Sequence, residues 1–360
     1  MEWVGSVRYD RLRQFAALLL HVSAFRLVPH NYKSQQGENV KRKILLAGAL
    51  AFFIGLTSAL PAHASCGSAF CALNTHWESQ GVWTEPGLRL DLRYEYIKQD
   101  QLRAGRHKTQ PEAVPDTHDE IQTYNRNLFL GLDYTFDQHW GGSLQLPWIS
   151  RQHVHIHNDT PPETETWKFD TLGDARVIGR YQFSTDADNH AAWGVTAGLK
   201  LPTGEFDKTN TEGTLAERSL QPGSGTTDLL FGLYTNSLML IGDRPAQKFF
   251  QAHAQYPANA RNGFRPGNIY GLDAGVTYQM MSAWYGMLQL NGQIKDRDRG
   301  SAAEPAESGG SFAWLSPGLS YAATRRVRAY GFVQLPLYQR VNGVQLTASW
   351  TASFGITTSF

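Results

Sequence analysis

Cysteine is all but absent from this chain of 360 residues. It has two, Cys66 and Cys71, too few for a disulfide scaffold or a four-thiolate zinc site. An excess of either charge is missing as well. Lys plus Arg number 33 against 32 Asp plus Glu, a formal net charge of +1, so no field points to nucleic acid or to an acidic partner. Only one long apolar run exists, Ile44 to Leu60, which rules out a bundle of membrane helices. No Ser and His pair sits in a recognisable nucleophile motif. Pro222-Gly-Ser-Gly225 is not the G-x-S-x-G elbow, which belongs between a strand and a helix. We expect no enzymatic activity and no cofactor.

What the chain does have is aromatic side chains, 12% of residues, and 34 glycines. Its mean hydropathy is nonetheless polar, at −0.38. That combination suits a membrane barrel, half of whose strand residues face inward, and equally a secreted all-β protein. The C-terminal stretch separates the two. From Val344 to Phe360, even positions run Val, Leu, Ala, Trp, Ala, Phe, Ile, Thr, Phe, and odd positions are Gln, Thr, Ser and Gly. Side chains alternate faces along a strand, so this is an uncharged ribbon with one greasy and one polar side. It is about three times the usual strand length. In water such an edge invites aggregation. In a membrane barrel it meets lipid on one face and the lumen on the other.

The same unit recurs from Glu85 onward. Ribbons are expected near 88–96, 122–136, 140–155, 172–183, 192–201, 227–240, 248–256, 269–280, 284–295, 312–321, 327–337 and 344–360, twelve in all. In the first, Leu88, Leu90, Leu92, Tyr94 and Tyr96 oppose Arg89, Asp91, Arg93 and Glu95. The stretches 100–120, up to Asp170, and 202–226 read as long polar loops. Connections alternate between short and long, the pattern of tight periplasmic turns and long outside loops, and only Asn342-Gly343 closes the last pair tightly. An even strand count puts both barrel ends on the periplasmic side. The expected fold is therefore an all-β, antiparallel transmembrane β-barrel of about twelve strands over residues 85–360. Aromatics near ribbon ends, such as Tyr134, Phe136, Trp140, Tyr181, Phe183, Trp193 and Trp284, are expected to form interfacial girdles.

Before the barrel, Lys41-Arg42-Lys43, the apolar run and Pro61-Ala-His-Ala64 make a signal peptide over 40–64, with a membrane anchor as the rival reading. Residues 1–39 are expected to be an upstream extension from a mis-assigned start, with translation beginning at Val40. Residues 65–84 then form a periplasmic segment. Export would put Cys66 and Cys71 in an oxidising compartment, where a disulfide competes with a soft-metal site.

The polar faces carry Arg89, Asp91, Arg93, Glu95, Arg151, Asp174, Arg176, Arg180, Lys200 and Asp273. Inside a barrel such charges are either structural ion pairs or a selectivity filter. Their mixed signs argue against strong anion or cation selection. Twelve strands lie between the packed interior of eight and the open channel of sixteen, so a narrow or loop-plugged pore is expected. His153, His155 and His157 share one face, spaced about 7 Å apart. They are weak metal or pH-sensing candidates beside the plainer reading of a solvated polar face.

Three segments resemble a known group. Leu172-Gly-Asp-Ala-Arg-Val-Ile-Gly-Arg-Tyr-Gln-Phe183, Gly198-Leu-Lys-Leu-Pro-Thr-Gly204 and Gln221-Pro-Gly-Ser-Gly-Thr-Thr-Asp228 are similar to segments of the outer-membrane β-barrel family labelled MetA-pathway of phenol degradation, described as transporter-like. The resemblance is concentrated in residues 172–232. It implies outer-membrane location and passage of a small solute, aromatic or hydrophobic. The other readings are a structural or adhesive barrel without transport and a metal-linked outer-membrane protein. Expected partners are outer-membrane lipid, the small-molecule solute and, because the terminal strand ending in Phe360 resembles an assembly signal, the barrel-insertion machinery. No nucleic acid is expected.

Overall fold

The computed structural model describes residues 86–111, 118–157, 163–186 and 191–360. The expectations for residues 1–39, 40–64 and 65–84, including Cys66 and Cys71, lie outside these. The described chain forms strands β1 (Gly87–Ala104), β2 (His107–Lys108), β3 (His118–Thr135), β4 (Trp140–His157), β5 (Glu163–Leu172), β6 (Arg176–Asp186), β7 (Ala191–Lys200), β8 (Asp228–Ile241), β9 (Arg244–Pro257), β10 (Ile269–Gln279), β11 (Trp284–Lys295), β12 (Gly310–Ala322), β13 (Val327–Val341) and β14 (Val344–Ser359).

All pair antiparallel in one sheet, and β14 returns to pair with β1 from Arg89↔Ser359 to Ala104↔Val344, which closes the ring. Strand β2 is a two-residue flap on β1. Strands β5 and β6 pair with the upper and lower parts of β4, so they are two halves of one stave, interrupted at Gly173–Ala175. Counted so, the barrel has twelve staves. Its last strand is the ribbon that organised the sequence.

Two stretches expected to be loops are strands. Strand β1 runs on to Ala104 because register shifts at Lys98/Gln99 and Gln99/Gln101 bulge the strand, break its alternation and swap its faces. The stretch Glu163–Leu172 is β5. Its buried residues are Trp167 and Phe169 while Lys168 and Asp170 are exposed, so its pattern is inverted: apolar inside, polar outside.

Lower down, the alternation has the opposite sense. Leu92, Leu130, Leu233, Leu272, Leu290 and Phe354 are exposed on the outer face. A continuous apolar band of this extent requires a lipid solvent. At the short-turn end it is bordered by touching rings on the same face. Centroids lie 4.9 Å apart for Tyr134–Phe136, 4.7 Å for Trp140–Tyr181, 4.3 Å for Phe183–Trp193 and 4.8 Å for Trp284–Tyr321. This is the girdle expected from the sequence, and it marks the periplasmic interface. The band and girdle place the barrel in the outer membrane.

The turns below it are locally determined. Asp137 accepts hydrogen bonds from the backbone N–H of His139 and of Trp140, both at 2.7 Å. Those bonds hold its carboxyl below the usual range. Gly242, in the two-residue turn between β8 and β9, takes φ +60°, a conformation that glycine adopts without steric cost.

The lipid-facing reading has a direct consequence. Leu290 stands mid-strand on the outer face, 50% exposed. Leu290→Arg is expected to destabilise the barrel by about 2–4 kcal/mol in urea unfolding from lipid vesicles. An unchanged midpoint would mean this face does not meet hydrocarbon.

Candidate functional site: the lumen and its inserted loop

The inner face is polar because it never meets lipid, and the side chains there satisfy one another. Arg93 Nε lies 3.0 Å from Glu95 Oε1, and its guanidinium stacks 4.6 Å from the Phe129 ring centre. Tyr330 donates its hydroxyl to Asp91 Oδ2 at 2.8 Å. Arg180 donates to Thr135 Oγ1 at 3.0 Å and lies 4.0 Å from Asp133. Asn291 donates to Asp273 Oδ1 at 2.8 Å, with His253 Nδ1 3.5 Å from that carboxylate. Arg89 shares this face by register, paired with Asp133 and Ser359. Arg176 stands within electrostatic reach of Asp228, Asp174, Arg93 and Glu95, which come from different walls. Asp91, Arg93, Glu95, Arg180 and Asp273 thus face the interior, Arg89 shares their face by register, and both charge signs occur there.

The long segment Leu201–Thr227 between β7 and β8 does not project away from the barrel. Both its ends converge on one ammonium group. Lys200 Nζ donates to Asp174 Oδ2 and Ser224 Oγ at 2.6 Å and to the Thr226 carbonyl at 2.8 Å, and lies 3.6 Å from Asp228. Asp174 also accepts from the backbone N–H of Gly204 at 3.1 Å and of Ser224 at 3.0 Å. Asp228 accepts from Thr226 Oγ1 and Gln255 Nε2, each at 2.6 Å. Arg176 donates to Gln255 at 3.2 Å, tying the cluster to β6 and β9.

This arrangement explains why the fourth stave breaks. Gly173 N–H still donates to the Pro147 carbonyl of β4 at 2.8 Å, but the other groups of Gly173–Ala175 bond the loop. Leu201 N–H donates to the Ala175 carbonyl, Thr203 Oγ1 donates to the Gly173 carbonyl, and Ala175 N–H donates to Thr203 Oγ1, all at 2.8 Å. The backbones of Gly173, Gly204 and Gly223 touch. A Cβ on Gly204 would stand 2.9 Å from Gly173 Cα and from Gly223 Cα, so only glycine fits.

The middle of the loop crosses the mouth. Ala216 and Leu220 are buried in one cluster with Leu102, Trp167, Phe169 and Leu346. Leu346 belongs to β14, five staves round the ring from β7 by the order β7, β6, β4, β3, β1, β14. Trp167 Nε1 donates to the Thr214 carbonyl at 3.0 Å and Arg151 Nη1 to the Leu220 carbonyl at 2.5 Å. Asn210 donates to Glu165 Oε1 at 3.1 Å, and the other oxygen of Glu165 lies 3.1 Å from His155 Nε2.

His153 and His155 are thus buried in the wall beneath the loop. His153 Nδ1 lies 2.9 Å from Thr123 Oγ1, and both rings pack on Trp167. The side chain of His157 is outside the described residues. No group of three or more His, Cys, Asp and Glu side chains that could hold a metal occurs among the described residues. The sequence places Asp174 and Lys200 on polar faces but does not show that they meet each other and Asp228. It does not single out Ser224, Trp167 or Glu165. The available signal for the anchor is that all three segments carrying the family resemblance contribute to it: Asp174 from the first, Lys200 from the second, and Ser224, Thr226 and Asp228 from the third.

A crystal structure of an outer membrane channel from Pseudomonas putida F1 is similar to this chain, with a TM-score of 0.56 and 11% identity, covering 78% of this chain and 98% of that one. The KdgM porin gives 0.38 and 10% over 75% of this chain and 99% of its own. The NanC porin gives 0.40 and 14% over 75% and 100%. No family model matches the sequence, and no curated protein matches it. The first likeness establishes the outer-membrane barrel fold.

Proposed function

We propose that this chain is an outer-membrane channel for a small solute, and that the loop Leu201–Thr227 sets the width of its passage. The inserted loop carries this reading. It is held across a polar lumen by hydrogen bonds at both ends and by one small apolar cluster, an arrangement suited to narrowing a conduit. Arg89, Asp91, Arg93, Glu95, Arg151, Asp174, Arg176, Arg180, Lys200 and Asp273 would line the passage, and their balanced signs fit weak charge selection. The resemblance of residues 172–232 to the MetA-pathway group points to an aromatic or hydrophobic solute. We assign no enzymatic role. Phe360, whose N–H donates to the Leu88 carbonyl at 2.9 Å on the closing strand, would present the signal read by the insertion machinery.

Planar bilayers test the channel directly. Replacing residues 206–220 by a short Gly-Ser linker is expected to raise single-channel conductance several-fold over the wild type. Absence of channel events from both proteins, each folded by heat-modifiable migration, would overturn the proposal.

A further inference from the structure

We infer that the outer wall of β1, β3, β4 and β5 binds the phosphates of the glycolipid that fills the outer leaflet. Strand register lays out the outward side chains in rows. Phe354, Tyr94, Leu128, Trp148 and Leu172 are successive partners across β14, β1, β3, β4 and β5, and all five are exposed. This is the top of the apolar band. Two residues higher, Arg126 is the partner of Tyr96. Four residues higher, Trp350, Lys98, Tyr124, Gln152 and Lys168 are successive partners. At about 3.3 Å per residue, the three cations stand roughly 7–13 Å along the strands from the last apolar row. That is head-group depth.

The cations are held in place. Lys98 Nζ and Arg126 Cζ lie 5.7 and 5.8 Å from the centre of the same Tyr124 ring, so one aromatic supports a charge on either flank. Two carboxylates lie among them: Asp100 pairs with Lys98 Nζ at 3.1 Å, and Asp170 accepts the Trp148 indole N–H at 2.5 Å, so the three cations exceed the acids by one and Arg126 and Lys168 carry the excess. Arg126 and Lys168 are exposed.

Exposed cations directly above a lipid-facing aromatic row fit an occupant with acyl chains below and phosphate above. A free anion would use only half of the surface. The inner faces of β1, β5 and the adjoining β14 supply Leu102, Trp167 and Leu346 to the loop cluster, so bound glycolipid braces the wall that receives the loop. The inference does not depend on what the lumen passes.

The test is binding of bis-phosphorylated lipid A to the full-length barrel in detergent, followed by native mass spectrometry. Lys98→Gln/Arg126→Gln/Lys168→Gln is expected to lower affinity at least tenfold. Lys248→Gln/Arg325→Gln, which removes exposed cations elsewhere, should change it less than twofold. Dephosphorylated lipid A should bind the wild type as weakly as the phosphorylated lipid binds the triple variant. Wild-type affinity in the triple variant, or equal binding of both lipids by the wild type, would overturn the inference. The lipid comparison on the wild type decides the matter even if the triple variant misfolds.

Discussion

Lys200→Met is expected to release the loop Leu201–Thr227 while leaving the barrel closed. The ammonium of Lys200 is the shared donor for Asp174, Ser224 and Thr226 and stands beside Asp228. The side chains of Lys200, Asp174 and Asp228 are 7%, 9% and 0% exposed, so water does not replace the lost cation. Breaking a buried pair from one side costs about 3–5 kcal/mol, because the remaining charge has no partner. The twelve-stave ladder does not pass through this residue's side chain, so the cost falls on the loop and on the interrupted stave. Lys208 and Arg218 lie in the loop and supply the readout. Arg218 is tucked against Phe206 and Phe264 and donates to the Ser224 carbonyl at 2.8 Å. Trypsin should cut at these two sites in the folded variant and spare them in the wild type, with conductance rising in step. Lys200→Met/Asp228→Asn should recover part of the protection. Equal resistance of wild type and Lys200→Met would show that the apolar cluster alone holds the loop.

The parts of the fold that were legible in the sequence are those where one solvent acts on each face. Within the apolar band, lipid outside and polar lumen inside impose strict alternation, and Leu88 to Tyr96, Leu128 to Phe136 and Trp350 to Phe360 follow it; above Trp350 the register shift breaks it and Leu346, expected on the lipid side, lies inside. Above the membrane that contrast reverses. Water lies outside and the inserted loop inside, so Trp167 and Phe169 point inward while Lys168 and Asp170 point out. A search for lipid-facing ribbons therefore reads Glu163–Leu172 as loop. In β1 the bulge around Gln99 swaps faces at the same height and hides the strand's last turn of the pattern. The inserted loop was less legible still. It has no periodicity, and its buried apolar residues are few, Ala216 and Leu220 among them. What marked it was chemistry at a distance: an Asp after Gly173, a Lys before Leu201 and an Asp after Thr227 are separated in sequence and meet only because β6, β7 and β8 are neighbours.

Glycine at position 223 separates the two ways the anchor could work. Read from sequence, the Gly and Pro residues of the three resembling segments set strand ends. In the structure they also bring backbones into contact. A Cβ on Gly223 would lie 2.6 Å from the Gly204 carbonyl carbon and 2.8 Å from Asp174 Oδ1. The first neighbour is backbone, and the second is held by Lys200, Gly204 and Ser224, so neither yields cheaply. Gly223→Ala removes no hydrogen-bonding group, yet it is expected to cost about 1–3 kcal/mol as overpacking and to expose Arg218 to trypsin. Gly292→Ala is the matched control. It sits in the wall at β11, where a Cβ would meet only the Leu272 carbonyl oxygen at an ordinary 3.7 Å, and it should leave the digest unchanged. If packing and charge hold the same anchor, combining Gly223→Ala with Lys200→Met should add little to either alone, because residues sharing one network are not additive. Full additivity would mean two separate attachments. Protection intact in Gly223→Ala would mean that the glycines serve the strand ends after all and that Lys200 alone secures the loop.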